Sequence, residues 1–166
     1  MSEDHTVVLP LAVIEGQHLI ALIDEFLLLV DAPERDADAA LRRLTPMAYP
    51  DDEEASQEYA ALTRADLLDR RAEEAALVRA DLAAFDREEG LNRRDAMRPR
   101  DALITGDHLD AWLRTLTALR LVLATRIGIE NADAHDPEDE RYGVYDWLGY
   151  RLEGLIQAAD ERDARF

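Results

Sequence analysis

The stretch from about Asp107 to Ile127 constrains this chain more than any other. Leu109, Trp112, Leu113, Leu116, Leu123 and Ile127 fall on one stripe at helical spacing, and Leu119, Leu121 and Val122 widen it around the cylinder. A helix that is apolar over so much of its circumference must be surrounded by other elements, so it predicts the centre of a fold whose remaining parts pack around it. Arg120 lies on the same stripe as Leu113, Leu116 and Leu123. A cation on a core-facing stripe needs a partner, because burying an unpaired charge costs several kcal/mol or more on an order-of-magnitude scale.

Further segments supply that surrounding. Leu19, Ile20, Leu22, Ile23, Phe26, Leu27, Leu29 and Val30 predict a second apolar helix, stopped at Pro33. A shorter helix is expected from about Arg35 to Leu44, ended by Pro46, and a long one from about Asp52, after Pro50. From Thr63 to Phe85, Leu68, Ala75, Val78, Leu82 and Phe85 recur at helical spacing among alternating Arg, Asp and Glu, and Gly90 is read as the helix stop. The last helix is expected from about Asp139 to Ala164, with Val144, Tyr145, Leu148, Leu152, Leu155 and Ile156 as its apolar face. Thr6-Val7-Val8-Leu9 is a candidate short extended piece, and no convincing strand alternation is present elsewhere. The expectation is an all-α, single-domain chain over residues 1–166, a bundle or orthogonal array of about five helices.

Composition narrows the function. The net charge is -18 and the sequence pI about 4.4, so the chain repels polyanions and lacks the basic surplus of a free-standing nucleic-acid binder. There is no Cys, which excludes disulfides, thiolate ligands and any thiol switch within this polypeptide. Every one of its 19 cations is an Arg. The acidic start, Met1-Ser2-Glu3-Asp4-His5, lacks the basic region of a secretory signal, and Asp24 and Glu25 interrupt the most apolar stretch. A cytoplasmic protein without a membrane span is expected.

No motif for chemistry emerges. His5, His18, His108 and His135 form no metal-binding pair at helical spacing, so neither metal nor cofactor is expected. The acidic run Asn131 to Glu140 fails as a calcium loop, with Asp136 where glycine is needed and Tyr142 where the closing glutamate is needed. No phosphate-cradling glycine loop or nucleophile elbow is present. These absences favour a non-enzymatic protein. The one basic concentration is Arg93, Arg94, Arg98 and Arg100, in a stretch read as a loop of about fifteen residues after Gly90. It is the candidate contact for an anion, either an acidic partner surface or DNA phosphate, set against the plainer reading of a solvated loop.

Three segments carry a resemblance. They are Ala48-Tyr49-Pro50-Asp51-Asp52 followed by Tyr59, Leu62 and Thr63; Trp112-Leu113 through Leu119-Arg120-Leu121 to Thr125-Arg126-Ile127-Gly128-Ile129; and Tyr145-Asp146-Trp147-Leu148. With them the chain resembles an actinobacterial family of small helical proteins of unknown function, one branch of which is described as the oxidative-stress transcriptional regulator AosR. It departs from the family pattern at Thr117-Ala118 and at Ala124. The resemblance implies a regulator of transcription with a partner in the transcription machinery, such as a sigma factor. The cysteine-based sensing attributed to the described branch does not carry over. Trp112, Arg120, Tyr145, Asp146 and Trp147 are expected to be structural, with Arg120 and Asp146 forming a salt bridge between the last two helices. A homodimer through the Leu19–Val30 helix and direct DNA binding through residues 93–100 stay open as alternatives.

Overall fold

A computed structural model of the chain describes residues 5–45, 53–86, 90–129, 136 and 138–165. Among these, β1 (Val7–Ala12) leads directly into α1 (Val13–Asp31), and a 3-10 turn at Arg35–Ala37 precedes α2 (Ala39–Leu44). There follow α3 (Glu53–Asp81), a 3-10 turn at Ala83–Phe85, α4 (Arg93–Ala96), β2 (Pro99–Ile104), α5 (Leu109–Ile127), a 3-10 turn at Glu140–Tyr142 and α6 (Gly143–Asp163). The fold is predominantly helical, with one small sheet.

The expected central helix is central. α5 packs against α3, α6, α2 and α1, and it buries Leu109, Ala111, Trp112, Thr115, Leu116, Ala118, Leu119 and Ala124. It ends where Gly128 takes a positive φ of 78°, which a residue with a Cβ resists. The chain then folds back, with the Ile129 N–H donating to the Ala124 carbonyl at 2.8 Å and Ile129 buried beside Tyr145. The Ile127-Gly128-Ile129 motif is therefore a helix stop.

α1 lies on α3 and buries Val13, Gly16, Leu19, Ile20, Ile23, Phe26 and Val30, leaving Leu28 exposed. Gly16 admits the ring of Phe85: a Cβ at Gly16 would lie 2.7 Å from its Cε1 and closer still to Cγ and Cδ1.

The sheet corrects the expectation that residues 91–105 form a loop. β1 and β2 pair antiparallel, Val7 opposite Ile104 and Ala12 opposite Pro99. The period-two pattern in β2 is real, since Ala102 and Ile104 are buried while Pro99, Asp101 and Leu103 are exposed. Arg98, Arg100 and Asp101 disguise it as polar loop, and the strand it needs lies some ninety residues earlier in the chain. The Val13 N–H donates to the Arg98 carbonyl at 3.0 Å, so odd residues of β1 hydrogen-bond inward and even ones face the open edge. Pro10, at an even position, offers no donor there, and the Ala12 N–H is held by the Glu15 carboxylate at 2.8 Å. Pro99 falls at the equivalent outward position of β2. Prolines so placed blunt both edges against strand addition.

Smaller differences concern boundaries. The helix expected over 35–44 is a 3-10 turn followed by α2, because Asp38 caps the second piece by accepting from the Ala40 and Leu41 N–H groups at 2.9 and 3.2 Å. α3 ends at Asp81 rather than near Gly90. The Ala48–Asp52 motif and the acidic residues 130–135 lie outside the described residues, as do the side chains of Tyr59 and Leu62.

Candidate functional site

Of the four arginines singled out in the sequence, Arg93 and Arg94 occupy α4, Arg98 precedes β2, and Arg100 lies within β2. Asn92 caps α4 through its side chain, which accepts from the Asp95 N–H at 2.9 Å, and this holds the short helix in place. Arg93, Arg94 and Arg98 are exposed. Arg98 reaches Asp95 at 3.7 Å, and the side chains of Arg93 and Arg94 make no ion pair or hydrogen bond among the described residues. Arg100 differs. Its strand position, opposite Leu11, points inward, so its Nη1 donates to the Ala84 carbonyl at 2.7 Å while its guanidinium sits 5.8 Å from the Phe85 ring centre. It braces the turn after α3, and three arginines remain on the surface.

The aromatic motif residues join helices. Trp112 is fully buried, and its indole N–H donates to Asp81 Oδ2 at 2.9 Å. The Nδ1 of His108 lies 3.0 Å from the same oxygen. Asp81 is the last residue of α3, and here it meets the start of α5, where the helix dipole favours a negative charge. The second tryptophan repeats the arrangement near the start of α6. Trp147 Nε1 donates to Glu15 Oε1 at 2.8 Å, and Arg151 donates to both oxygens of that carboxylate at 3.0 and 2.8 Å. Burial raises the Glu15 pKa. The Ala12 N–H, Arg151 and Trp147 outweigh that and hold the carboxyl below its usual range.

Asp38 is treated alike, with Arg126 of α5 donating to it at 2.7 Å. Burial raises its pKa, and Arg126 with the two backbone N–H groups of α2 brings it below the ordinary value.

Arg120 has a partner, and it is not Asp146. No ion pair joins these two among the described residues. The Arg120 guanidinium lies over the Tyr145 ring, 4.1 Å from its centre, and its Nε donates to the Tyr145 carbonyl at 3.4 Å. Gly149, one turn on, leaves room for it; a Cβ there would come within 2.9 Å of Nη2. The missing carboxylate is replaced by a ring face and a carbonyl, which satisfy a partly exposed guanidinium without a second charge.

Two clefts accompany these ties. One of about 320 Å³ lies between α1 and the start of α6, lined by Glu15, His18, Ala21, Leu22, Gly143, Val144 and Trp147. Its walls are mostly apolar, and its carboxylate is the one already bonded to Trp147 and Arg151. Another, of about 240 Å³, lies beside Arg120 and Tyr145 and includes Arg43 and Thr117. No group of three or more His, Asp or Glu side chains suited to a metal occurs among the described residues, and no helix among them is long and apolar enough to cross a membrane. His18 is exposed on the rim of the first cleft, and His108 stands at the cap of α5. Sequence reasoning missed Glu15, Asp81 and Arg151, three ionisable residues among many whose partners are distant in the chain.

No curated protein and no solved structure matches the chain. A family model does, over residues 1–159, nearly the whole length. The chain belongs to the family described as a domain of unknown function, DUF2017.

Proposed function

We propose that this protein is a non-enzymatic regulator that acts through protein contacts, with a partner in the transcription machinery. One observation carries the reading. The exposed arginines Arg93, Arg94 and Arg98 cluster on and beside α4 in a chain of net charge -18, and Arg93 and Arg94 are without partners among the described residues. Partly buried carboxylates such as Glu15 and Asp81 are engaged in joining helices, which suits a scaffold better than acid–base chemistry. The transcriptional part of the reading is supported by the motif resemblance to the AosR branch. Lacking cysteine, this member would take its signal from the partner or from its own abundance rather than from a thiol.

The alternative is direct DNA contact through the same arginines. Arg100 braces the fold, so three cations rather than four would be available to phosphate, and the surrounding acidity opposes them. The test is a native-lysate pull-down comparing wild type with a variant carrying Arg93→Ser, Arg94→Ser and Arg98→Ser. Recovery of a sigma factor or polymerase subunit by wild type, and its loss in the variant, is the expected result. Salt-sensitive binding of a promoter fragment, with no protein recovered, would replace the reading with DNA recognition.

A further inference from the structure

Two arginines converge on a cleft that no acid lines among the described residues. The cleft of about 240 Å³ beside Tyr145 draws its walls from α2, α5 and α6, and Arg43 of α2 and Arg120 of α5 both line it. Acids outnumber arginines 37 to 19 in this chain, yet neither of these two meets a carboxylate among the described residues. Arg79 and Arg151, by contrast, each bond one at 2.8 Å. The partners of the cleft pair are neutral. Arg43 Nη1 donates to Thr125 Oγ1 at 2.9 Å, while Arg120 lays its guanidinium over the Tyr145 ring and spends its Nε on a carbonyl. The Nη groups of Arg120 donate to nothing among the described residues, and neither is sealed from solvent.

We propose that this cleft binds a small organic monocarboxylate, its carboxylate held by Arg43 and Arg120 and its apolar body set against Leu121, Ala124, Ile129 and Leu152. The site is separate from the protein contact proposed at Arg93, Arg94 and Arg98, and would add a ligand-borne signal to those named above. The head group follows from the donors. A guanidinium presents a planar fork that matches a carboxylate, and stacking on Tyr145 fixes the plane of the Arg120 fork before a ligand arrives. The Thr117 hydroxyl already donates to the Leu113 carbonyl at 2.7 Å, so the arginines alone supply the donors. The body follows from the walls. Four aliphatic side chains line the cleft beside the cations, and they favour an apolar group over the hydration shell of an inorganic ion. The single charge follows from the chain as a whole, because a net charge of -18 repels a dianion twice as strongly as a monoanion. Size follows from the volume. The cleft lies below the range of about 300–1,000 Å³ that holds drug-sized ligands, so it selects a small acid.

The test titrates the full chain at pH 7 with hexanoate, benzoate, benzamide and inorganic phosphate, followed by NMR of the arginine Nε–H groups and of the leucine and isoleucine methyl groups. Hexanoate or benzoate should bind saturably with a Kd of about 1 mM or tighter, shifting Arg120, Leu121, Ile129 and Leu152 together. Benzamide, which has the shape without the charge, and phosphate, which has charge without the apolar body, should each bind at least about ten-fold more weakly. Arg43→Gln and Arg120→Lys should each weaken the carboxylate by about ten-fold, and Arg165→Gln, an exposed charge elsewhere, should not. A thermal melt shows whether each variant is folded; Arg43 is exposed, so its variant keeps the test decisive even where Arg120→Lys loses structure. No saturable binding, equal binding of benzamide or of phosphate, or equal binding to Arg43→Gln would overturn the proposal. Binding that appears only after Glu130→Gln with Asp133→Asn would also overturn it, since the cations would then serve the chain's own acids. Each of these results leaves the protein-contact reading standing, because that reading is tested on different arginines.

Discussion

Replacing Glu15 by Ala unties three donors at once, and the size of the effect follows from where they sit. The carboxylate accepts from the Ala12 N–H, from Trp147 and, at both oxygens, from Arg151, so it caps α1 and ties that helix to α6. Ala12, at the N-cap, has no side-chain oxygen, so the cap consists of the Glu15 contact alone. Its loss costs about 1 kcal/mol. Arg151 is 18% exposed at its side chain and its Nε has no hydrogen-bond partner, so removing Glu15 leaves a largely buried guanidinium unpaired. That adds about 2 kcal/mol, below the figure for a fully buried pair because Glu15 itself keeps 27% of its side-chain surface in water. The sum, about 3 kcal/mol, lowers the melting temperature of a chain this size by about 6–12 °C. Glu15→Gln keeps the shape but has one acceptor oxygen, so it can accept from Ala12 or from Trp147 and not from both, and about 1–2 kcal/mol is expected from the lost charge and the lost acceptor. Urea unfolding followed by tryptophan fluorescence and by circular dichroism measures both. An Ala variant within about 1 kcal/mol of wild type would refute the reasoning.

Other outcomes follow from the same geometry. Glu15 and Asp38 both titrate lower in the folded chain than their unfolded values of 4.5 and 3.8, so they stabilise above those values and that stability is lost as pH falls through the folded pKa values. The stability gap between wild type and Glu15→Gln should therefore close on acidification below about pH 4.5; a gap independent of pH would contradict the assignment. Gly16→Ala gains helix propensity of about 1 kcal/mol but drives a Cβ into the buried Phe85 ring, and a net loss of about 2 kcal/mol is expected in a melt. Gly149→Ala meets only the flexible end of Arg120, so it should stay within about 1 kcal/mol of wild type. Asp81→Ala leaves the buried Trp112 N–H without its acceptor at a cost of about 2 kcal/mol, and adding Trp112→Phe should recover part of that in a double-mutant cycle.

Much of the fold was legible in the chain because helices announce themselves locally. The stripe from Leu109 to Ile127 is a property of 19 consecutive residues, and it describes the central helix whatever packs against it. Gly128 and Pro33 mark helix ends through their own backbone preferences. The strand β2 gave no such signal: six residues with two charges among them acquire meaning only when Leu9 and Leu11 of β1 lie beside them. The expected Arg120–Asp146 bridge failed for a related reason. Helical spacing placed Arg120 on the inner stripe, but whether a carboxylate, a ring or a carbonyl met it depended on the rotation of α6, and Gly149 with Tyr145 came to face it.

The amino-acid sequence by itself determined the helical class, the central place of α5, the absence of any thiol chemistry and the segment where cations concentrate. Those rest on composition and on periodicities spanning a few turns, which are written residue by residue. The tertiary structure alone decided which of the four arginines face solvent, that Asp81 and Glu15 answer the two tryptophans, and that Val8 and Leu103 meet on an exposed sheet face. Each of these depends on residues far apart in the chain meeting in space, and with 37 acids and 19 arginines to pair, no spacing rule selects the partners that packing brings together.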